Sequence, residues 1–113
     1  MQLVIIVLNE VEYLEDLLAE FAERGIGGAT ILDSTGMARM LYQHEDLSMF
    51  GSLSMMFNQQ REESKTIFTV LPEDQVPTLK AAVKKIVGDI SKPNTGIMFG
   101  VPVDFVDGLG GQR

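Results

Sequence analysis

Two glycine-bearing turns and one histidine hold most of the chemistry this sequence could perform. The first turn reads Asp33-Ser34-Thr35-Gly36-Met37-Ala38-Arg39, and the second reads Ser91-Lys92-Pro93-Asn94-Thr95-Gly96. Turns of this composition expose backbone N–H groups, which can form a concave anion-binding nest. Arg39 and Lys92 would add charge-assisted hydrogen bonds to a phosphate. The plainer reading is that the same residue types simply reverse the chain. His44 stands beside Glu45 and Asp46, a trio that could suggest acid–base or metal chemistry. A lone histidine among acids is more often a solvated loop residue, and no convergent acid–base pair accompanies it. No catalytic residue is therefore assigned. The chain has no cysteine and a single histidine, which excludes disulfides, thiol chemistry and a histidine-rich metal centre. No metal ligand is assigned either.

The remaining charge points away from nucleic acid. The net charge is −7 with no basic block, whereas phosphate backbones are held by clustered Lys and Arg. Lys80, Lys84 and Lys85 come nearest to a cluster and read as the solvated face of a helix. The apolar start, Leu3 to Leu8, lacks a basic flank and stops at Asn9-Glu10. It is neither a signal peptide nor a membrane span, so a cytoplasmic protein without membrane insertion is expected. With 113 residues, 45% of them hydrophobic and 22% charged, residues 1–113 form a single domain able to build a core.

The elements that must position the turns follow from periodicity. Leu3 to Leu8 is a buried strand. Asn9 reads as a helix N-cap with Glu12 closing a capping box, and Leu8 and Tyr13 as its hydrophobic staple. Val11, Leu14, Leu17, Leu18, Phe21 and Ala22 form the apolar helix face, while Glu12, Glu15, Asp16, Glu20 and Glu23 take the solvated one. Gly25 follows as the C′ residue, with Ile26 in apolar contact beyond it. A second strand covers Ala29 to Asp33 and a third Lys65 to Leu71. A second helix opens at Pro72-Glu73-Asp74 and ends at Gly88, its buried stripe being Val76, Leu79, Val83, Ile86 and Val87. The fourth strand, Ile97 to Val103, contains Pro102, which belongs on a sheet edge because it cannot donate to a ladder.

The order βαββαβ specifies an α+β, ferredoxin-like fold: a four-stranded antiparallel sheet, two helices on one face, and a long loop between strands 2 and 3. Two helices cover only one face of such a sheet. The first strand is apolar at every position, so both its faces require burial, and further copies of the chain are the simplest cover.

The long insert lies between the second and third strands. Five of the seven methionines fall in it: Met37, Met40, Met49, Met55 and Met56. Leu41, Tyr42, Leu47, Phe50, Leu53 and Phe57 join them. Met37, Met40, Leu41 and His44 recur at helical spacing. Such residues could patch a core or an interface. They also suit an adaptable docking surface, and Met40, Tyr42, Met49, Phe50, Met55 and Met56 are the candidate partner contacts.

Three stretches resemble the P-II family of nitrogen regulatory proteins, and more closely its divergent P-II-like relatives. Arg24-Gly25-Ile26-Gly27-Gly28-Ala29-Thr30 is similar to the family's glycine–x–threonine approach to strand 2. Gly36-Met37-Ala38-Arg39 is similar to its glycine–x–glycine–arginine turn, and Gly96-Ile97-Met98-Phe99 to its glycine–lysine–isoleucine–phenylalanine lead into strand 4. The resemblance implies a ferredoxin-like homotrimer that binds an adenine nucleotide between subunits. It also implies a T-loop, here residues 37–63, that engages a membrane transporter or enzyme in signal transduction and nitrogen regulation. Carried over by position, the effector cleft comprises Gly36, Met37 and Arg39 with Lys92, Asn94, Thr95 and Gly96. The chain departs from the pattern at Ala38 and Ile97, and it has no arginine in Val103 to Gly108, where Asp104 and Asp107 stand instead. Each missing charge-assisted phosphate contact costs about 1.5–3 kcal/mol, which disfavours ATP bound in the usual way and leaves open a different or less charged effector, or none. Two other functions fit a small ferredoxin-like oligomer: an isomerase or oxygenase using His44, and a copper-tolerance-like trimer, which the lack of cysteine disfavours.

Overall fold

The computed structural model describes residues 1–42 and 63–109. It contains β1 (Gln2–Leu8), α1 (Leu14–Glu23), β2 (Thr30–Ser34), α2 (Met37–Tyr42), β3 (Ser64–Leu71), α3 (Val76–Ile86) and β4 (Gly96–Pro102). The four strands form one antiparallel sheet in the order β2-β3-β1-β4. This is the α+β, ferredoxin-like arrangement expected from the element order. Pro102 lies on an edge strand, where its missing N–H breaks no central ladder.

The uniformly apolar β1 divides cleanly between two environments. Val4, Ile6 and Leu8 point toward the helices and are buried, while Leu3, Ile5 and Val7 point to the other face and are only partly covered. Leu17 and Phe21 of α1, Leu79, Ala82 and Val83 of α3, and Ile67 and Leu71 of β3 complete the core on the helix side. Thr69 is buried in the same layer, and its hydroxyl donates to the Gly28 carbonyl at 2.6 Å. That bond satisfies a polar group that would otherwise be costly to bury and ties the α1–β2 connection to the sheet.

The C-terminus of α1 forms as its sequence requires. Ile26 N–H donates to Phe21 O at 2.8 Å and Gly25 N–H to Ala22 O at 3.1 Å, with Gly25 at φ +84°. This is a Schellman closure, and buried Ile26 supplies its apolar contact. The N-terminus differs from expectation. Val11–Tyr13 form a 3-10 turn and α1 begins only at Leu14, with no side-chain cap at either start. Asn9 is drawn instead into the sheet's end, where its N–H donates to Thr95 O at 3.0 Å. This bond extends the β1–β4 pairing one residue past Leu8. α3 likewise opens through a 3-10 turn, Glu73–Gln75, with Pro77 in its first turn, where a missing N–H costs nothing.

Two residues of α1 exchange places relative to the periodic reading. Ala22 is exposed, and Glu20, assigned to the solvated face, is buried. The shoulder of α1 carrying Glu20 faces α3. There Arg24 Nε donates to Glu20 Oε2 at 2.7 Å and Lys85 Nζ donates to Glu20 Oε1 at 3.1 Å. The hydrogen bond from Arg24, then that from Lys85, holds the Glu20 carboxyl below its usual range. Lys85 therefore bridges the helices while staying exposed, as Lys80 and Lys84 are.

Because the folded value of Glu20 lies below the unfolded one, its contribution to stability is complete above the unfolded value and is lost as pH falls through the folded one. Urea midpoints measured between about pH 6 and pH 3 should fall more gently for Glu20→Gln than for the parent. By comparison, Phe21→Ala should cost about 3–5 kcal/mol at neutral pH, and Ala22→Ser less than about 0.5 kcal/mol.

Candidate functional site

All four strands bring one end to the same side of the molecule. The last paired residues of β2 and β1, Ser34 and Leu8, lie there with the first of β3 and β4, Ser64 and Gly96. The first turn leaves this end from β2, residues 43–62 return to it through β3, and the second turn enters it through β4. Asp33, Lys65, Leu8 and Gly96 share a single row across the sheet. Three strand spacings separate β2 from β4, about 14 Å. The two turns therefore flank the sheet end, and a ligand touching both must span the ends of β3 and β1.

A hydroxyl cluster pins the root of the first turn. Thr66 Oγ1 donates to Ser34 Oγ at 2.8 Å, Ser34 Oγ and Ser64 Oγ are 2.7 Å apart, and Ser64 Oγ donates to the Ser34 carbonyl at 3.0 Å. Since the Ser64 proton serves that carbonyl, the Ser34 hydroxyl must be the donor to Ser64 Oγ. Beside them, Lys65 pairs with Asp33 across β2 and β3, a bond that raises the lysine above its usual range. Asp33 is largely exposed, so the pair aligns strands more than it stabilises them. The sequence shows Ser34 and Ser64 only as two loop-flanking serines; the β2–β3 register makes them partners.

Gly36 accepts the first hydrogen bond of α2 from Met40 N–H at 3.1 Å. A Cβ placed on Gly36 would meet nothing within 4 Å among the described residues, so their packing does not require glycine there. Met37 and Met40 are among the most exposed apolar residues, and Arg39 lies between them on α2. Tyr42 ends that helix. His44, Met49, Phe50, Met55 and Met56 lie outside the described residues.

The second turn is organised by its own acid. Asp89 Oδ1 accepts the Ser91 hydroxyl at 2.6 Å and the Ser91 N–H at 3.0 Å, and these bonds hold Asp89 below its usual range. Lys92 is exposed just beyond, and Asn94 adopts the left-handed conformation at φ 62°. Thr95 is buried, and its hydroxyl donates to the Pro93 carbonyl at 3.5 Å. Gly96 is needed for packing: a Cβ there would lie 2.3 Å from the Val7 carbonyl oxygen. Thus the turns bring Lys92 and the backbone around Asn94 to the surface, while Thr95 and Gly96 are explained by the fold itself.

The face opposite the helices is the other exposed feature. Leu3, Val70 and Val101 form one apolar row, and Ile5, Phe68 and Phe99 a second. Val7, Leu32 and Ile97 extend a third row, with Thr66 between Val7 and Leu32. Ile97 and Phe99 are 56% and 45% exposed. Among the described residues, no cluster of three His, Asp or Glu could hold a metal ion, and no helix is long and apolar enough to cross a membrane.

The fold is a ferredoxin-like α+β arrangement with both turns at one end of the sheet and an apolar face that the described residues cover only in part. Compared with family models and with curated proteins, the chain matches neither.

The two glycines should respond oppositely to alanine. Gly96→Ala should cost about 1–3 kcal/mol in chemical denaturation, because backbone must shift to admit the methyl group. Gly36→Ala should change stability by less than about 0.5 kcal/mol.

Proposed function

We propose that the protein is a P-II-like signalling protein, in which copies associated through the open sheet faces bind a small effector at the sheet end and regulate a protein target through residues 37–63. The observation that carries this reading is the convergence of both turns and both roots of that segment on one end of the sheet. A ligand held there touches the chain where the segment begins, at Gly36 to Arg39, and so can bias its conformation. Gly36 supports the reading as well, since a glycine free of packing demands leaves space for close approach by a ligand. Arg39 and Lys92 are the cations that would face an anionic effector, with exposed Met37 against its apolar part.

The open face supports association. Its rows of Leu3, Ile5, Phe68, Val70, Phe99 and Val101 form a contiguous apolar surface of the kind that marks interfaces. Three copies around an axis is the assembly the resemblance implies. The regulated partner would be a transporter or enzyme, docked by the methionines and aromatics of residues 37–63. An adenine nucleotide is the first effector to test, and the replacement of the family's lysine by Ile97 points to modest affinity.

Titration calorimetry with ATP, ADP and AMP tests the effector. Binding should saturate for at least one of them, and Arg39→Ala or Lys92→Ala should each weaken it roughly 10- to 100-fold, the worth of one charge-assisted contact. Heat from none of the three would remove the adenine nucleotide. Sedimentation tests the assembly separately: Phe99→Ser should shift the parent oligomer toward monomer, and a monomeric parent at micromolar concentration would refute it.

A further inference from the structure

Val103 to Gly108, which carries aspartates where the P-II resemblance would have arginine, runs out from the sheet. Hydrogen bonding to β1 ends where Val103 N–H donates to Met1 O at 3.1 Å. Beyond that bond the chain is neither helix nor strand as far as Leu109. Asp107 and Gly108 are exposed, and neither forms a hydrogen bond or ion pair among the described residues.

In the whole sequence, Asp107 is the one aspartate or asparagine that glycine follows. The pairing matters because an aspartyl carboxyl carbon can be attacked by the backbone nitrogen of the next residue. A five-membered ring closes only where the backbone can swing the two atoms together, and most easily where the next residue has no Cβ. Glycine meets the second condition and widens the range of conformations for the first. A strand or helix denies the first, because its dihedrals are fixed and its N–H groups are engaged.

The other described aspartates fail at least one condition. Asp33 precedes a small residue, but it lies in β2, where Ser34 pairs with Ser64 and the Asp33 carboxylate with Lys65. Asp89 Oδ1 is held by Ser91, and β-branched Ile90 follows it. Asp16 is in α1 and Asp74 in the 3-10 turn that opens α3. Asp104 shares the arm, but bulky Phe105 follows it.

We propose that Asp107-Gly108 is a site of self-modification, where the folded protein converts aspartate to isoaspartate. The Gly108 nitrogen attacks Cγ of the protonated Asp107 carboxyl. The amide hydrogen and the carboxyl hydroxyl leave as water, and a cyclic imide joins the two residues. Water then adds to one imide carbonyl. If the bond from the Asp107 main-chain carbonyl carbon to nitrogen breaks, the chain runs through Cγ, one atom longer, with its carboxylate on Cα. If the bond from Cγ breaks, aspartate is restored. One water is released and one consumed, so the sequence balances without an oxidant or a second substrate. It requires no effector and is independent of the proposed sensing.

The test is to age the full-length protein in water enriched in oxygen-18, native and unfolded in guanidinium chloride. Each passage through the imide leaves one heavy oxygen at the reacting residue, which mass spectrometry of its peptides locates. Isoaspartate also resists a protease that cuts before aspartate. Native Asp107 should take up label at a rate within about tenfold of the unfolded chain, because no local opening is needed there. Cleavage before Asp107 should be lost while cleavage before Asp104 persists, and Asp33 should take up label only on unfolding. Gly108→Val should slow native labelling roughly tenfold, since a β-branched side chain crowds the attacking nitrogen. A Cβ at Gly108 would meet nothing within 4 Å among the described residues, so this variant spares the core. Native labelling of Asp107 more than about tenfold slower than unfolded, or no faster than at Asp104 or Asp33, would overturn the proposal. So would retained cleavage before Asp107, or undiminished labelling in Gly108→Val.

Discussion

Strand β1 is hydrogen-bonded on both sides, to β3 and to β4, and its side chains must satisfy two different surroundings at once. Val4, Ile6 and Leu8 enter the layer beneath α1 and α3, where burying each apolar side chain contributes roughly 1.5–3 kcal/mol. Leu3, Ile5 and Val7, one residue out of phase, turn to a face that the described residues cover only in part. A slip of one residue would exchange these sets, so the buried set fixes the register and the register fixes everything at the strand ends. The alignment of Ser34 with Ser64, of Asp33 with Lys65, and of Gly96 against Val7 all follow from it.

Several polar groups show how tertiary bonds override local rules. Asn9 has the residue type and spacing of a helix cap, yet its N–H is used by the second turn. Glu20 belongs to an acidic stripe, yet the approach of α3 brings Lys85 to it and turns a solvated carboxylate into a bridge between helices. Of the three charges only Glu20 is nearly buried, so the bridge depends on its keeping at least one cation, while Lys85 stays largely in solvent. Neither outcome can be read from one helix considered alone.

The two glycine turns separate into different physical classes. Gly96 is a close-approach glycine, and the carbonyl of Val7 explains it without any ligand. Gly36 has no such neighbour among the described residues, and it stands where the chain leaves the sheet toward residues 43–62. The turn motifs were visible as residue types, but which glycine serves packing and which is free for function was not. The same holds for Thr95, a polar residue that looks available in a turn and is buried in the fold.

What the sequence by itself determined is the element order, the Schellman closure at Gly25 and Ile26, and the edge position of Pro102. These depend on local conformational preference and on hydrophobic period, which a linear string records directly. The uniform apolarity of β1 also foretold that two helices would leave one face bare. Only the tertiary structure decided the pairing of Ser34, Ser64 and Thr66 and the burial of Glu20 in place of Ala22. Each of these joins residues brought together by strand register or by the approach of another element. Spacing along the chain carries no record of such meetings, because the energy that selects them is released only when separate elements pack.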